Sequence, residues 1–274
     1  MTDLRRYGPW AVIAGGSEGV GASFADLLAD AGLNLVLIAR KPQPLEETAE
    51  RARKKGVRVR TLSLDLTENE SIAEIISATS DIEVGLLIFN AGANSYGGAE
   101  FVLGDLDRFR TVIDLNVTAQ LSLAHHFGAQ MRGRGRGGLL LVGSMSGYLG
   151  GFQQGIYGGA KAFGRIFAES LWLELRDHGV DVLELILGVT RTPAMERAGL
   201  NFDIPGMMVS EPDEVAREGL EHLGDGPVWI AGGNAEMVQV RSGPDRAGLL
   251  LKNHKAMLRL LPPRQAPAAD GRQG

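Results

Sequence analysis

The chain has 274 residues, 44% of them hydrophobic and 22% charged, enough to bury a full core in one large α/β domain or two small ones. Its formal charge of −5 argues against a nucleic-acid partner, and the absence of cysteine excludes disulfides and thiolate metal sites and fits a reducing interior. The opening MTDLRRYGPW carries no apolar signal region and no apolar run approaches the length of a membrane span, so a cytoplasmic protein is expected.

The first element is a short apolar strand, Trp10–Ala14, followed directly by Gly15-Gly16-Ser17-Glu18-Gly19-Val20-Gly21 and a helix over Ser23–Ala31. Strand, glycine-rich turn and helix are the context that a dinucleotide phosphate loop requires, because glycines admit the pyrophosphate and the helix N-terminus supplies N–H donors. The spacing is GxxxGxG (Gly15, Gly19, Gly21), and an ordinary βα turn is the plainer reading of such a loop taken alone. Leu33–Ala39 closes the βαβ unit, and the residue at its end bears on the cofactor. A carboxylate there suits the ribose hydroxyl of NAD and a base suits the 2′-phosphate of NADP. Arg40 and Lys41 stand there, so NADP (as NADPH) is favoured and NAD remains open; a solvated arginine at a strand end is the alternative.

A charged helix over Gln43–Lys55, ended by Gly56, leads to a third strand, Val57–Leu64, with Asp65 at its end, where the carboxylate could accept from an adenine amino group. An amphipathic helix over Glu68–Ala78 precedes a fourth strand, Gly85–Phe89, and Asn90-Ala91-Gly92, whose small residues let backbone lie against a ribose. Leu106–Met131 reads as one long helix with Asn116 in an apolar neighbourhood. A buried amide needs partners, so it is either a helix kink bonded to its own backbone or a water-holding post behind Lys161. Arg132–Gly138 (RGRGRGG) reads as a mobile basic loop before the fifth strand, Leu139–Gly143.

Ser144 then falls at a strand's carboxyl end, where open α/β sheets hold ligands, with Tyr157 thirteen residues on and Lys161 four beyond that. In a helix over Tyr157–Asp177 the i,i+4 spacing puts Tyr157 and Lys161 on one face. A neighbouring ammonium should lower the phenol's pKa from about 10 and make Tyr157 a general acid or base at a carbonyl or alcohol oxygen. A surface serine, a packing tyrosine and a solvated lysine are the bland alternative. A sixth strand, Val180–Leu187, leads to Gly188, Thr190 and Thr192. The aperiodic stretch 193–210, with Met195, Phe202, Met207 and Met208, has the length of an active-site lid, although methionine also serves as core filler. Ser210 is a possible N-cap for a helix over Pro212–Leu223; Pro227–Ala231 is a seventh strand. A basic amphipathic helix over Asp245–Leu261 could dock on the core, pair with another subunit or touch a membrane surface, docking being the default, and 266–274 reads as a disordered tail. The five histidines form no HxxxH pair, and no metal site is assigned.

Taken together the glycine turn, Asp65, Asn90-Ala91-Gly92, Asn116, Ser144, Tyr157-x-x-x-Lys161 and Gly188–Thr192 resemble the short-chain dehydrogenase/reductases from about Trp10 to Ala231. YGPWAVIAGGSEGVG and LNLVLIAR are loosely similar to the branch with microsomal 3-ketoacyl-CoA and 17β-hydroxysteroid reductases, although the membrane anchor of those proteins is lacking here. The resemblance implies a single Rossmann-type doubly wound α/β domain over 1–265, with about seven parallel strands and helices on both faces. It implies proton transfer by Tyr157, a substrate-oxygen contact from Ser144, and Lys161 as modulator of Tyr157 and ligand of the nicotinamide ribose. Asn116 would anchor a water relay and Thr192 would meet the carboxamide. Cofactor contacts are implied at Gly15, Ser17, Glu18, Gly19, Val20, Gly21, Arg40, Lys41, Asp65, Leu66, Asn90, Ala91, Gly92, Tyr157, Lys161, Gly188, Thr190 and Thr192. Met145, Tyr148, Phe152, Gln154 and Met195 are candidate substrate contacts. The chain departs from the family in having Ala14 for a usual Thr, Leu187 for Pro and Thr190 for a common Val, which bears on cofactor affinity and not on proton transfer. The expectation is an NADP(H)-dependent ketone/secondary-alcohol oxidoreductase acting on a small hydrophobic molecule, as a homodimer or homotetramer. The alternative is a catalytically idle NADP(H)-binding sensor or scaffold.

Overall fold

The computed structural model describes residues 3–93 and 99–260; the expected tail at 266–274 and the domain's expected end at 265 lie outside the described residues. In chain order the elements are β1 (Trp10–Ala14), α1 (Gly19–Asp30), β2 (Asn34–Ala39), α2 (Pro42–Lys54), β3 (Val59–Ser63), α3 (Ser71–Ala78), β4 (Val84–Phe89), α4 (Leu106–Ile113) and α5 (Ala119–Arg134). There follow β5 (Gly137–Ser144), α6 (Gly155–Leu175), β6 (Val180–Leu187), β7 (Val189–Thr190), α7 (Pro193–Arg197), β8 (Val209–Ser210), α8 (Pro212–Glu221), β9 (Val228–Ile230), α9 (Ala235–Arg241) and α10 (Arg246–Leu260).

Seven strands form one sheet in the order β3-β2-β1-β4-β5-β6-β9, and every pairing is parallel. Parallel strands covered on both faces read as unbroken apolar runs, which is why WAVIA and VGLLIF are buried at every position. One face packs on α1, α2 and α8 through Phe24, Leu28, Leu45, Ala49, Val215 and Leu220. The other packs on α5 and α6 through Leu123, Phe127, Met131 and Ala168. The strand order reverses between β1 and β4, so a crevice opens at the carboxyl ends of the central strands. The glycine turn, Asn90–Gly92 and Ser144 all follow strands that end there.

Four expectations need correction. The helix expected over 106–131 is two helices joined by a π-helical turn at Asp114–Thr118, and Asn116 sits in that turn. The basic run 132–138 is not a mobile loop. Helix α5 extends to Arg134, Gly135 turns the chain at φ +71°, and β5 starts at Gly137; Arg134 donates to the Val84 carbonyl at 2.6 Å and Arg136 pairs with Glu83 at 2.5 Å. Ser210 does not cap α8; Glu211 occupies the N-cap position, without a side-chain capping bond, and Pro212 takes the first turn. The stretch 193–210 contains α7, whose N-cap Thr192 accepts from the Met195 N–H at 3.3 Å, and the short β7–β8 pair. Helix α9, too short for a clear period, went unread in the sequence.

Candidate active site

Ser144 ends β5, and its hydroxyl accepts from the Ser146 N–H at 3.1 Å, closing a tight turn over Met145–Gly147. That turn lies against the first turns of α6. A Cβ on Gly147 would stand 2.9 Å from Lys161 backbone, and one on Gly158 would stand 3.0 Å from the Ser146 carbonyl. Glycine at both places is what lets the serine turn reach the helix, and Ser144 hydrogen-bonds the Tyr157 phenol. One turn further along α6, Lys161 is 8% exposed, with Nζ 5.8 Å from the Tyr157 ring centroid and donating to the Val142 carbonyl at 2.9 Å. Ser144, Tyr157 and Lys161 are thus one cluster.

The electrostatics differ from the sequence expectation. Burial holds the Tyr157 phenol above its ordinary pKa, and the Ser144 hydrogen bond pulls only partly the other way. The Lys161 ammonium, directed at the Val142 carbonyl, does not lower it here. Burial pulls Lys161 itself below the usual lysine range, with Glu184 acting against that. At neutral pH the arrangement is a phenol ready to donate.

Asn116 joins this cluster through the π turn. Its Nδ2 donates to Val112 at 2.9 Å, within its own helix, and to Ala93 at 3.0 Å, while Oδ1 is buried without a hydrogen-bond partner. A Cβ on Gly92 would stand 2.9 Å from Asn116 Oδ1 and 3.2 Å from Lys161 Nζ, so glycine at 92 keeps those two polar atoms open to one another.

The glycine turn fits a dinucleotide by the same test. Gly15 has φ +83°, and a Cβ on it would lie 2.7 Å from the Ala91 N. A Cβ on Gly21 would overlap the Gly15 carbonyl at 1.9 Å. Asn90 Nδ2 donates to that carbonyl at 2.9 Å and ties β4 to the turn, and Thr48 holds the Ser17 carbonyl at 3.0 Å. Gly19, Val20 and Gly21 form the first turn of α1, whose N–H groups have no intrahelical acceptor. Thr192 lies over this turn; a Cβ on Gly19 would be 3.0 Å from its methyl carbon. Thr190 is buried, and Gly188 leaves room for the Asn234 amide.

Glu18 does not face the crevice alone. Both of its oxygens bond Arg197 of α7, one at 3.0 Å, and those hydrogen bonds, against some burial, hold its carboxyl below the usual range; Lys41 lies close enough to add to this. The Asp65 carboxylate likewise faces its own surroundings. Although burial acts the other way, the Thr67 N–H (3.0 Å), the Thr67 hydroxyl (2.8 Å) and Arg40 (3.4 Å) hold it in the charged form. Leu66 is buried beside it, and Arg40 stays 65% exposed at the end of β2.

A largely apolar recess of about 300 Å³ reaches Ile156, the neighbour of Tyr157, and is lined by Phe101, Phe109, Phe152 and Ile156 with Gln153 as its polar side chain among the described residues. Ile156 and Tyr157 both pack against the cluster of Phe109 and Val112. Tyr148 and Gln154 are partly buried near the serine turn, and Met195 on α7 is 45% exposed. Met145 is a correction: it is buried against Ile186 and Val238 and serves as core. Two arginines that the sequence did not single out brace this wall. Arg241 donates to the Met145 carbonyl at 3.0 Å and Arg246 to the Tyr148 carbonyl at 2.9 Å, while the Phe152 and His254 rings meet at 5.3 Å. Helices α9 and α10 therefore back the serine turn. Arg241→Gln should cost about 1–3 kcal/mol by leaving a half-buried carbonyl unsatisfied and should lower turnover more than NADPH affinity; denaturant unfolding with cofactor titration measures both. Among the described residues no group of three histidine, aspartate or glutamate side chains could hold a metal ion, and no helix is long and apolar enough to cross a membrane.

A sequence model described as short chain dehydrogenase matches residues 9–201. The chain belongs to the short-chain dehydrogenase/reductase family. It is therefore an NAD(P)-dependent oxidoreductase, with the seven-stranded Rossmann-like fold of that family. A 7beta-hydroxysteroid dehydrogenase of Clostridium sardiniense is 28% identical over 92% of this chain and 97% of its own. A very-long-chain 3-oxoacyl-CoA reductase of Neurospora crassa is 30% identical over 81% of this chain and 68% of its own, consistent with the branch resemblance noted above. Among solved structures, a short-chain dehydrogenase from Sphingobium yanoikuyae in complex with NADPH superposes with a TM-score of 0.75 at 31% identity, covering 96% of this chain and 99% of that one. The family match ends at residue 201, so α9 and α10 lie beyond it.

Proposed function

We propose that this dehydrogenase interconverts a ketone and a secondary alcohol on a bulky apolar molecule of steroid-like size, using NADP(H). The observation that carries the reading is the Ser144–Tyr157–Lys161 cluster at the end of β5, close to a largely apolar recess with no charged side chain among the described residues of its lining. When bound, NADPH supplies the hydride. Tyr157 Oη donates the proton to the substrate oxygen and Ser144 Oγ hydrogen-bonds the same oxygen. Lys161 Nζ, which donates to the Val142 carbonyl here, would bind the nicotinamide ribose, and Asn116 Oδ1, buried without a partner, would accept from a water that resupplies the proton. The phenyl side chains of the recess, Phe101, Phe109 and Phe152, would pack on an apolar substrate and shield the reacting carbonyl from water. The hydroxysteroid activity named for the Clostridium sardiniense relative supports a fused-ring substrate.

The preference for NADP(H) rests on Arg40, exposed at the strand end where a carboxylate would otherwise stand, and is supported by the NADPH held by the Sphingobium yanoikuyae relative. Arg40→Asp should weaken NADPH by at least about tenfold relative to NADH, since one charge-assisted phosphate contact is replaced by a repulsion. Titrating both reduced cofactors by nicotinamide fluorescence, followed by a panel of steroid and other bulky ketones, tests the whole reading. Tight NADPH with ketone turnover supports it, and failure of both cofactors to bind would overturn it. Self-association is part of the proposal. Ile166 (53% exposed) and Leu173 (66%) of α6, with Phe163 and with Leu121 of α5, put apolar side chains in solvent on neighbouring helices. Sedimentation should find a dimer or tetramer.

A further inference from the structure

The inward-facing residues of β6 are apolar but for one. Glu184 is 1% exposed in the middle of the strand, paired with Leu141 of β5 on one side and Val228 of β9 on the other. Alternation along the strand turns its side chain to the face covered by α5 and α6, the face of Val182, Leu141 and Ala168. There the carboxylate sits in a slot between two glycines. A Cβ on Gly143 would stand 2.5 Å from Glu184 Oε1, and one on Gly164 of α6 would stand 3.1 Å from the same oxygen and 3.7 Å from Gln120 Oε1. Three polar atoms of this slot are buried without a hydrogen-bond partner, namely Glu184 Oε2, Gln120 Oε1 and Arg165 Nε. Leaving such groups unsatisfied is costly, and a leucine would serve packing better at this strand position.

Lys161 stands one turn before Gly164 on α6. The carbonyl that accepts from Lys161 Nζ belongs to Val142, the residue before Gly143. The groups facing Glu184 divide by element. From α6 come Lys161, Arg165 and Glu169, with Arg165 Nη1 engaged by Glu169 at 3.0 Å and its guanidinium over the Tyr148 ring at 4.9 Å. From α5 comes the neutral Gln120, and at the paired positions β5 and β9 present only Leu141 and Val228. We propose that Glu184 is a positioning residue for Lys161, a buried carboxyl group that retains the charge on Lys161 in alkaline solution and so widens the pH range over which Lys161 can hold the nicotinamide ribose for reaction. This rests on the reading of Lys161 given above. The directions agree: burial pushes the Glu184 carboxyl up while Lys161 and Arg165 pull it back, and burial pulls Lys161 down while Glu184 opposes it. The two titrate as a pair. As pH rises the carboxyl surrenders its proton, and its new charge then holds the ammonium's.

Glu184→Gln keeps the volume and removes the charge. The alkaline limb of the kcat–pH profile for ketone reduction should move to lower pH by about one unit or more, the scale expected of a close opposite charge, and Glu184→Asp should move it back towards the parent. A uniform fall in kcat with the limb unmoved would mark Glu184 as merely structural and overturn the proposal. A second readout needs no substrate. The infrared carbonyl stretch of a buried protonated carboxyl should be present in the parent and absent from Glu184→Gln, and in Lys161→Met it should persist to higher pH because the opposing ammonium is gone. A band that titrates identically with and without Lys161 would overturn the coupling. If no ketone were turned over, the functional reading would fall, and the infrared titration would still decide whether Glu184 and Lys161 share charge.

Discussion

Tyr157→Phe should lower kcat by about 10²–10⁴-fold, the usual worth of a positioned proton donor, with NADPH bound nearly as tightly as by the parent. The reason is local. The substitution removes one oxygen, bonded to Ser144, and leaves the ring against the cluster of Phe109 and Val112. The pH dependence carries a sign. Burial raises the phenol's pKa, so the donor form is retained through neutral pH and reduction should fall only as the solution turns alkaline. Alcohol oxidation needs the phenolate and should rise over that same range. Initial rates in both directions, with fluorescence titration of the cofactor, check these points. Undiminished turnover in Tyr157→Phe would remove Tyr157 from the mechanism.

Gly21→Ala should abolish measurable cofactor binding and destabilise the fold by about 1–3 kcal/mol, the range for forced overpacking. The added methyl would overlap the Gly15 carbonyl at 1.9 Å and the Asn90 amide at 2.7 Å, and neither can retreat. The first is backbone of the phosphate turn and the second is the bond that joins β4 to that turn. Both walls of the pyrophosphate site would move together. Gly133→Ala is the contrast. Gly133 lies near the end of α5 with nothing within 4 Å of an added Cβ, and alanine there should stabilise by up to about 1 kcal/mol through helix propensity alone. Thermal unfolding of the two variants, with and without NADPH, tests the pair; a Gly21→Ala protein with parental NADPH affinity would refute the assignment of the turn.

How much of this was legible in the chain follows from the range of each signal. Strands such as WAVIA, LNLVLIA and GLLIF declared themselves because a parallel sheet buried on both faces needs continuous apolar runs, and their ends placed the glycine turn, Asn90–Gly92 and Ser144 at one edge. The Tyr157–Lys161 spacing was readable for a similar reason, since helical periodicity alone brings residues four apart to one face. The helix break at Asn116 was half legible. An amide among apolar neighbours signalled something, and the backbone reading holds for Nδ2, which donates to Val112, while Oδ1 is buried without a partner and is the atom the proposed relay would use. The basic run 132–138 misled because composition shows where charge is and not what it meets; Arg134 and Arg136 fasten α5 and β5 to the start of β4.

By itself the sequence determined the architecture and singled out the glycine turn and the Ser144, Tyr157 and Lys161 set, because each depends on periodicity or spacing within a short window. Only the tertiary structure decided the environment of those residues. It buried Tyr157 so that its phenol is held in the proton-donating form, set Arg197 on Glu18 and Arg241 behind Met145, and lodged Glu184 between two glycines near Lys161. The contacts of Glu18 and Glu184 join residues 20 to 179 positions apart in the chain, across strands and helices whose packing no local pattern encodes. Desolvation and charge pairing are properties of what surrounds a group in space, and they come into being only when the sheet and its two helical layers close around the site.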